Sequence, residues 1–158
     1  MKNSDVVLTF WNEFLAATGR GKSLKYFDCF YFDITEKSAN ELLALVLNGT
    51  KKATASSLDF FECAGMPPPK VGDFNIITDW DGVPHCVVET TAVTVLPFKD
   101  ITFDICKREG EDDTLESWQK GHINFFTKDG EQAGYKFTWD MPVVFEDFEV
   151  VYTAQGTA

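Results

Sequence analysis

Gly49-Thr50-Lys51-Lys52-Ala53-Thr54 follows an amphipathic helix and sets an amine and a hydroxyl three residues apart. Asn48, which precedes this stretch, and Gly49, its first residue, form a pair that is typical of a helix end. A buried lysine that loses its proton can act as a base, and a neighbouring threonine hydroxyl can then become a nucleophile. This stretch therefore predicts both the end of a helix and a reactive pair, Lys51 and Thr54, with Ser56 close behind.

Three helices are predicted from apolar spacing and from residues that favour helix starts. Ser4 is the expected cap of a first helix over residues 5–18, and Ser38-x-x-Glu41 is the capping box of the second. A similar Asp113-x-x-Glu116 start opens a helix over residues 114–127. The strands are expected at residues 26–32, 74–78, 83–95 and 143–152.

The order of these elements predicts an α+β domain with a closed or nearly closed sheet, which protects strand edges. Asp81-Gly82 is a hairpin signal between the second and third strands. Pro67-Pro68-Pro69 excludes regular structure, so a loop is expected there.

Composition narrows the function classes. The chain has 158 residues and a net charge of −11, which argues against adhesion to a nucleic-acid backbone and hence against double-stranded DNA as a partner. The four cysteines are scattered without metal-ligand spacing, and no cofactor motif occurs. No metal and no cofactor are therefore expected. Free thiols, no signal pattern and no membrane-length apolar run predict a cytoplasmic protein without a membrane partner.

Glu89 is the third candidate for the site. It is the only carboxylate between Asp81 and Lys99, and its strand is otherwise uncharged. A carboxylate in a partly buried strand needs a partner, and a lysine is the natural one. Lys51 and Glu89 therefore form either part of a catalytic group or a purely structural ion pair.

Trp118 and His122 lie four residues apart and so are neighbours on one helix face. His122 has a side chain that titrates near neutral pH and can serve as an acid or base. A histidine beside aromatic residues is more often a packing residue, and both interpretations stay open.

Several stretches, taken in order, resemble the ASCH domain family, whose β-barrel is related to the PUA RNA-binding domain. The similarity runs from about residue 26 to residue 153 and is closest to the longer bacterial branch. The stretches that carry it are Ala39-Asn40-Glu41-Leu42, residues 49–56, Pro69-Lys70-Val71-Gly72-Asp73, Val88-Glu89-Thr90-Thr91, Val95-Leu96-Pro97-Phe98, Trp118, His122, Phe125-Phe126, Asp140-Met141-Pro142 and Val150-Val151-Tyr152.

The resemblance implies a PUA-like mixed β-barrel flanked by helices, with an extra N-terminal helix. The expected boundaries are 1–22 for that helix, 23–153 for the ASCH-like domain and 154–158 for a disordered tail. Small bacterial relatives are amidohydrolases that cleave a C–N bond of acylated cytidine nucleosides with a lysine, a threonine and a glutamate. Lys51, Thr54 and Glu89 match these positions, and Ser56, Trp118 and His122 are then candidates for ligand binding.

The family also implies alternatives. Other relatives are RNA-binding modules or ribonucleases, and a barrel that retains only an interaction surface is a further possibility. An arginine that is common near the last strand is replaced here by Asp147, which argues against contact with an RNA backbone. The expected partner is a small nucleoside-like ligand or RNA, and the expected assembly is a monomer or homodimer.

Overall fold

The computed structural model describes residues 2–157 of the chain. Within this range the chain forms five helices and six strands, together with two short 3-10 turns at Phe98–Asp100 and Lys107–Glu109. The helices are α1 (Lys2–Ala17), α2 (Glu36–Leu47), α3 (Leu58–Cys63), α4 (Phe103–Cys106) and α5 (Leu115–Ala133). The strands are β1 (Asp28–Phe30), β2 (Ala53–Ser57), β3 (Phe74–Thr78), β4 (Pro84–Pro97), β5 (Pro142–Thr153) and β6 (Gly156–Thr157).

All strands belong to one mixed sheet in the order β1-β3-β4-β5-β2, with β6 paired to β5. β1 runs parallel to β3, and the other pairs are antiparallel. The sheet curls into a half-barrel flanked by helices. Bulges in the β4–β5 ladder increase local twist and help this curl. The predicted α+β class and the hairpin between β3 and β4 are confirmed.

The N-terminal helix covers one face of the sheet. Phe10, Trp11 and Phe14 are buried against residues of β3, β4 and β5. The indole of Trp11 also donates to the carbonyl of Leu24 at 3.1 Å, which ties the helix to the chain that follows. Ser4 lies inside α1 rather than at its start.

Helix α2 packs on the other face of the sheet. Helix α5 packs on strands β2 and β5. Leu43 and Val46 of α2 contact the strand residues Ile77, Val88 and Phe148. Trp118 and Phe126 of α5 belong to a separate cluster that includes Phe98, Val143 and Phe145. The space between α2, α5 and β2 is where the candidate site lies.

Helices α2 and α5 each have an N-cap residue that differs from the one predicted from the sequence. Thr35 caps α2 by accepting from the backbone of Ser38, so Ser38 is inside the helix. Thr114 caps α5 by accepting from the backbone of Ser117, and it takes the place of Asp113. In both cases a threonine hydroxyl satisfies an N–H that has no partner within the helix.

The sequence predicts a disordered tail over residues 154–158, and this stays a prediction, with residue 158 outside the described residues. Gly156 and Thr157 pair with β5, and the Thr153 hydroxyl donates to the carbonyl of Gly156 at 3.2 Å. Within residues 2–157, none of the helices combines the length and apolar character required to span a membrane.

Candidate functional site

The turn after α2 directs Lys51 into the protein. The backbone N–H groups of Thr50 and Lys51 both donate to the carbonyl of Leu45, at 2.9 and 3.0 Å. Gly49 adopts φ +84°, a conformation that favours glycine. The chain then enters β2, and the Lys51 side chain is buried with 2% exposure.

A second segment docks directly on this turn. The N–H of Lys52 donates to the carbonyl of Arg108 at 3.0 Å. Gly110 has φ +69°, and a Cβ at this position would lie 2.4 Å from the carbonyl oxygen of Thr50. Only glycine allows this approach. This contact places Glu109 and Glu111, on either side of Gly110, next to the Lys51 ammonium.

The ammonium of Lys51 has three oxygen neighbours. Nζ donates to the carbonyl of Ala53 at 2.7 Å, to Oε2 of Glu111 at 2.5 Å and to Oε1 of Glu109 at 3.4 Å. Three acceptors match the three N–H groups of a protonated lysine. The ammonium also lies 5.0 Å from the centre of the Phe32 ring. Lys51 is thus held as a buried cation.

Glu109 is the anionic centre of the group, with 1% exposure. Its Oε2 accepts a hydrogen bond from the indole Nε1 of Trp118 and lies 3.3 Å from Nε2 of His122. Burial opposes ionisation of this carboxyl, but the neighbouring charges of His122 and Lys51 outweigh it and hold its pKa below the usual range. Glu109 therefore remains a carboxylate.

His122 is the second cation. Its Nδ1 lies 2.9 Å from the carbonyl of Trp118, and its ring stacks on the Trp118 ring with centres 4.1 Å apart. Burial favours the neutral ring, but the charge and hydrogen bond of Glu109 outweigh it and raise the pKa of His122. With acceptors at both nitrogens, the ring is set to carry two protons.

Glu111 differs from Glu109 although both contact the same lysine. Burial raises its pKa to about 7, Lys51 opposes that rise, and the carboxylate of Glu109 adds to it. Glu111 can therefore gain or lose a proton near neutral pH. A carboxyl of this kind is suited to general acid–base chemistry.

These groups line a cavity of about 300 Å³, which we call the ion-pair cavity. Lys51, Thr54, Glu109, Glu111 and His122 all contribute to its wall. The Thr54 side chain reaches it from β2, three residues beyond Lys51. The cavity also has an apolar side, formed by Phe32, Leu42, Leu45, Ala55 and Phe125.

The structure brings some of the predicted site residues together and separates others. Lys51, Thr54 and His122 share the ion-pair cavity, whereas Ser56 lines a second cavity beside it. Trp118 is fully buried, and its ring is stacked between Phe98 and His122. Both ring faces are therefore covered, and Trp118 supports Glu109 rather than stacking on a ligand.

Glu89 does not reach the ion-pair cavity. It pairs with Phe74 and Glu149 in the sheet and shares a face with Val87, which packs in the cluster under α1. Side chains alternate along a strand, so Glu89 points away from the face that carries Val88. The expected Lys51–Glu89 ion pair is accordingly replaced by the pairs of Lys51 with Glu109 and Glu111.

Sequence reasoning missed Glu109 and Glu111 because they fall in an acidic run that is typical of a solvated loop. One local signal was available. Gly110 separates the two glutamates, and a glycine inside a charged run can mark close backbone packing. That signal indicates a contact without identifying its partner.

Three of these side chains also have the chemistry of metal ligands. Glu109, Glu111 and His122 each offer a ligand atom within 4.8 Å of the others. Lys51 already provides a positive charge within hydrogen-bond distance of both carboxylates. A divalent cation at this position would repel the ammonium, so the donor set fits an ion-pair network better than a metal centre.

Comparisons with known proteins agree with this architecture. The family model of the ASCH domain matches residues 28–152. An ASCH domain structure from Lactobacillus crispatus is 31% identical, covers 92% of this chain and 94% of its own, and has a TM-score of 0.81. A structure from Enterococcus faecalis is also 31% identical, covers 93% and 88%, and has a TM-score of 0.85.

No curated protein gives a significant sequence match. The family match nevertheless spans β1 to β5 and includes every residue of the ion-pair cavity. Both solved structures extend beyond that range and cover most of this chain. The PUA-like half-barrel with its added N-terminal helix is therefore the fold of this protein, and the chain belongs to the ASCH domain family.

Proposed function

We propose that this protein is a hydrolase that cleaves the amide bond of a small acylated nucleoside-like compound in the ion-pair cavity. One observation carries the proposal: a threonine hydroxyl shares a cavity with a glutamate whose pKa lies near 7, beside a buried lysine and a buried histidine. Nucleophile, base and positive charge are the parts that acyl transfer requires.

Lys51 acts as a fixed positive charge in this proposal. Its three N–H groups already have acceptors, which leaves no lone pair to take a proton from Thr54. Its charge near the cavity, together with that of His122, favours the negative charge that develops on a carbonyl oxygen during attack. This revises the sequence-based interpretation, in which Lys51 is the base.

Glu111 takes the role of general base. Its carboxylate accepts the proton of the Thr54 hydroxyl while the hydroxyl oxygen bonds to the amide carbon. The proton then passes to the leaving nitrogen as the C–N bond breaks, and an acyl ester remains on Thr54. A water molecule, deprotonated by Glu111, then attacks the ester carbon, and the bond between that carbon and the Thr54 oxygen breaks. The carboxylic acid leaves, and Glu111 returns the proton to the Thr54 oxygen, which restores the hydroxyl.

The proposed substrate class is based on the volumes of the two cavities and on the family resemblance. Small-molecule sites usually enclose about 300–1,000 Å³. The ion-pair cavity and the adjoining cavity, at about 300 and 460 Å³, fall in this range. The amidohydrolases that the sequence resembles act on acylated cytidine, so cytidine acetylated on its exocyclic amine is the first compound to assay.

The test is turnover of that compound by the wild type, by Thr54→Val and by Thr54→Ser. The valine variant keeps the shape of the side chain but removes the hydroxyl, and its kcat should fall about a hundredfold or more. The serine variant should retain measurable turnover. Intact-mass spectrometry of quenched reactions should detect an acetyl group on Thr54. Equal turnover by Thr54→Val and the wild type would refute the proposal.

A further inference from the structure

A second cavity of about 460 Å³ adjoins the ion-pair cavity, because Phe32, Thr54 and Phe125 line both. We call it the aromatic cavity. Flat heteroaromatic ligands of any ring type can stack on aromatic side chains. Six further aromatic side chains line this cavity: Phe27, Phe30, Tyr31, Phe60, Phe61 and Trp80.

The charges around the aromatic cavity all have one sign. Among its lining residues, the charged side chains are Asp28, Asp33, Asp129 and Glu146. No lysine, arginine or histidine of the described chain lines it. A phosphate or carboxylate on a ligand would therefore be repelled, whereas N–H groups would find acceptors.

Asn75 provides an acceptor that none of the described residues uses. It lies on β3 with 5% exposure and lines the aromatic cavity. Its Oδ1 is the single buried side-chain oxygen or nitrogen without a hydrogen-bond partner among the described side chains, those of residues 4–156. A buried carbonyl in this state lowers stability unless a ligand donates to it. The Asn75 carbonyl oxygen is thus placed to accept a hydrogen bond from a ligand N–H.

Glu146 provides a complementary group. It has 7% exposure, and its Oε2 accepts from the Thr90 hydroxyl at 3.1 Å. Burial raises its pKa to about 7, and the carboxylates of Asp73 and Asp28 add to that rise. Near neutral pH the side chain can therefore carry a proton and donate it to an acceptor atom.

We propose that the aromatic cavity binds a neutral heteroaromatic ring with an exocyclic amine, with Asn75 Oδ1 accepting from the amine and Glu146 donating to a ring acceptor. The proposal extends the proposed function, because Thr54 borders both cavities. A ring held in the aromatic cavity would present an acyl group on its exocyclic nitrogen to the ion-pair cavity. Binding of the free ring is independent of any reaction.

The test uses calorimetric titration with cytidine and with uridine, which replaces the exocyclic amine by a carbonyl oxygen. Cytidine should bind at least about tenfold more tightly, because a carbonyl facing Asn75 Oδ1 leaves two acceptors opposed. In Asn75→Ala the preference should fall below about threefold. Asn12→Ala, on the exposed side of α1, should keep it. Equal affinities in the wild type, or a full preference in Asn75→Ala, would overturn the proposal.

Two further measurements test the acidic wall of the aromatic cavity and the role of Glu146. Cytidine 5′-monophosphate should bind no more tightly than cytidine, because the wall of the aromatic cavity is acidic. Cytidine affinity should weaken between pH 6 and pH 8.5 as Glu146 ionises among Asp28, Asp33, Asp73 and Asp129. Glu146→Gln should remove that change, and an unaltered pH profile in this variant would contradict the role of Glu146.

Failure of this proposal can be distinguished from failure of the proposed function. Glu111→Gln should bind cytidine as the wild type does, because Glu111 does not line the aromatic cavity. If acetylated cytidine is not hydrolysed but cytidine still binds with the Asn75-dependent preference, the binding proposal stands and the hydrolase proposal fails. If acetylated cytidine is hydrolysed without that preference, the hydrolase proposal stands and the binding proposal fails.

Discussion

Nζ of Lys51 lies 2.5 Å from Oε2 of Glu111, in a cluster that also holds Glu109 and His122. Two cations and two carboxyls therefore share one buried group. Because Glu109 stays ionised between Lys51 and His122, Glu111 is the carboxyl that exchanges a proton near neutral pH. The two glutamates thus have different roles, and these roles can be tested separately.

Glu111 should set the acid limb of the pH profile. As a base it must be ionised, and its pKa is about 7, so kcat/KM for acetylated cytidine should rise through neutral pH. Glu111→Gln should lower kcat about a hundredfold or more. Stopped assays from pH 5 to pH 9 measure both effects. A Glu111→Gln variant with the wild-type profile would contradict this role.

Lys51→Met should destabilise the fold by about 3–5 kcal/mol, because it leaves buried carboxylates without their cation. Urea unfolding measures this loss. The double variant Lys51→Met/Glu111→Gln should recover part of it, since one of the carboxylates is gone. Lys70→Met removes an exposed lysine from its pair with Asp73 and should cost no more than about 1 kcal/mol. Equal losses for Lys51→Met and Lys70→Met would argue against a buried ion-pair cluster.

Glu146→Gln should stabilise the protein at high pH. Burial raises the folded-state pKa of Glu146 to about 7, from an ordinary value of 4.5. The folded state therefore favours the protonated form, and its stability falls as pH rises from 4.5 through 7. The gain from Glu146→Gln over the wild type should grow across that window, reaching on the order of 2–3 kcal/mol. A gain that is constant from pH 5 to pH 8 would contradict the raised pKa.

Gly110→Ala should be more damaging than Gly65→Ala. The two glycines have φ +69° and +67°, so alanine meets the same backbone strain at both. A Cβ at residue 110 would collide with the carbonyl of Thr50, whereas nothing lies within 4 Å of one at residue 65. The extra loss in unfolding free energy should be about 1–3 kcal/mol, with lower turnover. Equal losses would mean that the loop can move away from Thr50.

Local patterns account for much of the fold. Apolar spacing and Asn48-Gly49 define α2 and its end, and Asp81-Gly82 locates the β3–β4 hairpin. Local patterns do not determine the helix starts, because Thr35 and Thr114 compete as caps with the residues beside them. These choices depend on which hydroxyl reaches a free N–H, which is a matter of geometry.

The site could be predicted only in part. Lys51 and Thr54 belong to one short segment, so their proximity follows from the sequence. The Lys51–Glu109 contact joins residues 58 positions apart and depends on how the loop around Gly110 packs on Thr50. Glu89 matched the expected chemistry, but strand alternation directs it to the other face of the sheet.

The location of the chemistry is tested most directly by comparing Glu109→Gln with Glu89→Gln in the same assay on acetylated cytidine. The substitution is identical, but Glu109 contacts Lys51 and His122, whereas Glu89 lies outside the ion-pair cavity. We expect Glu109→Gln to lose most of its turnover and Glu89→Gln to retain it. Loss of turnover in Glu89→Gln, with Glu109→Gln active, would contradict a reaction in the ion-pair cavity.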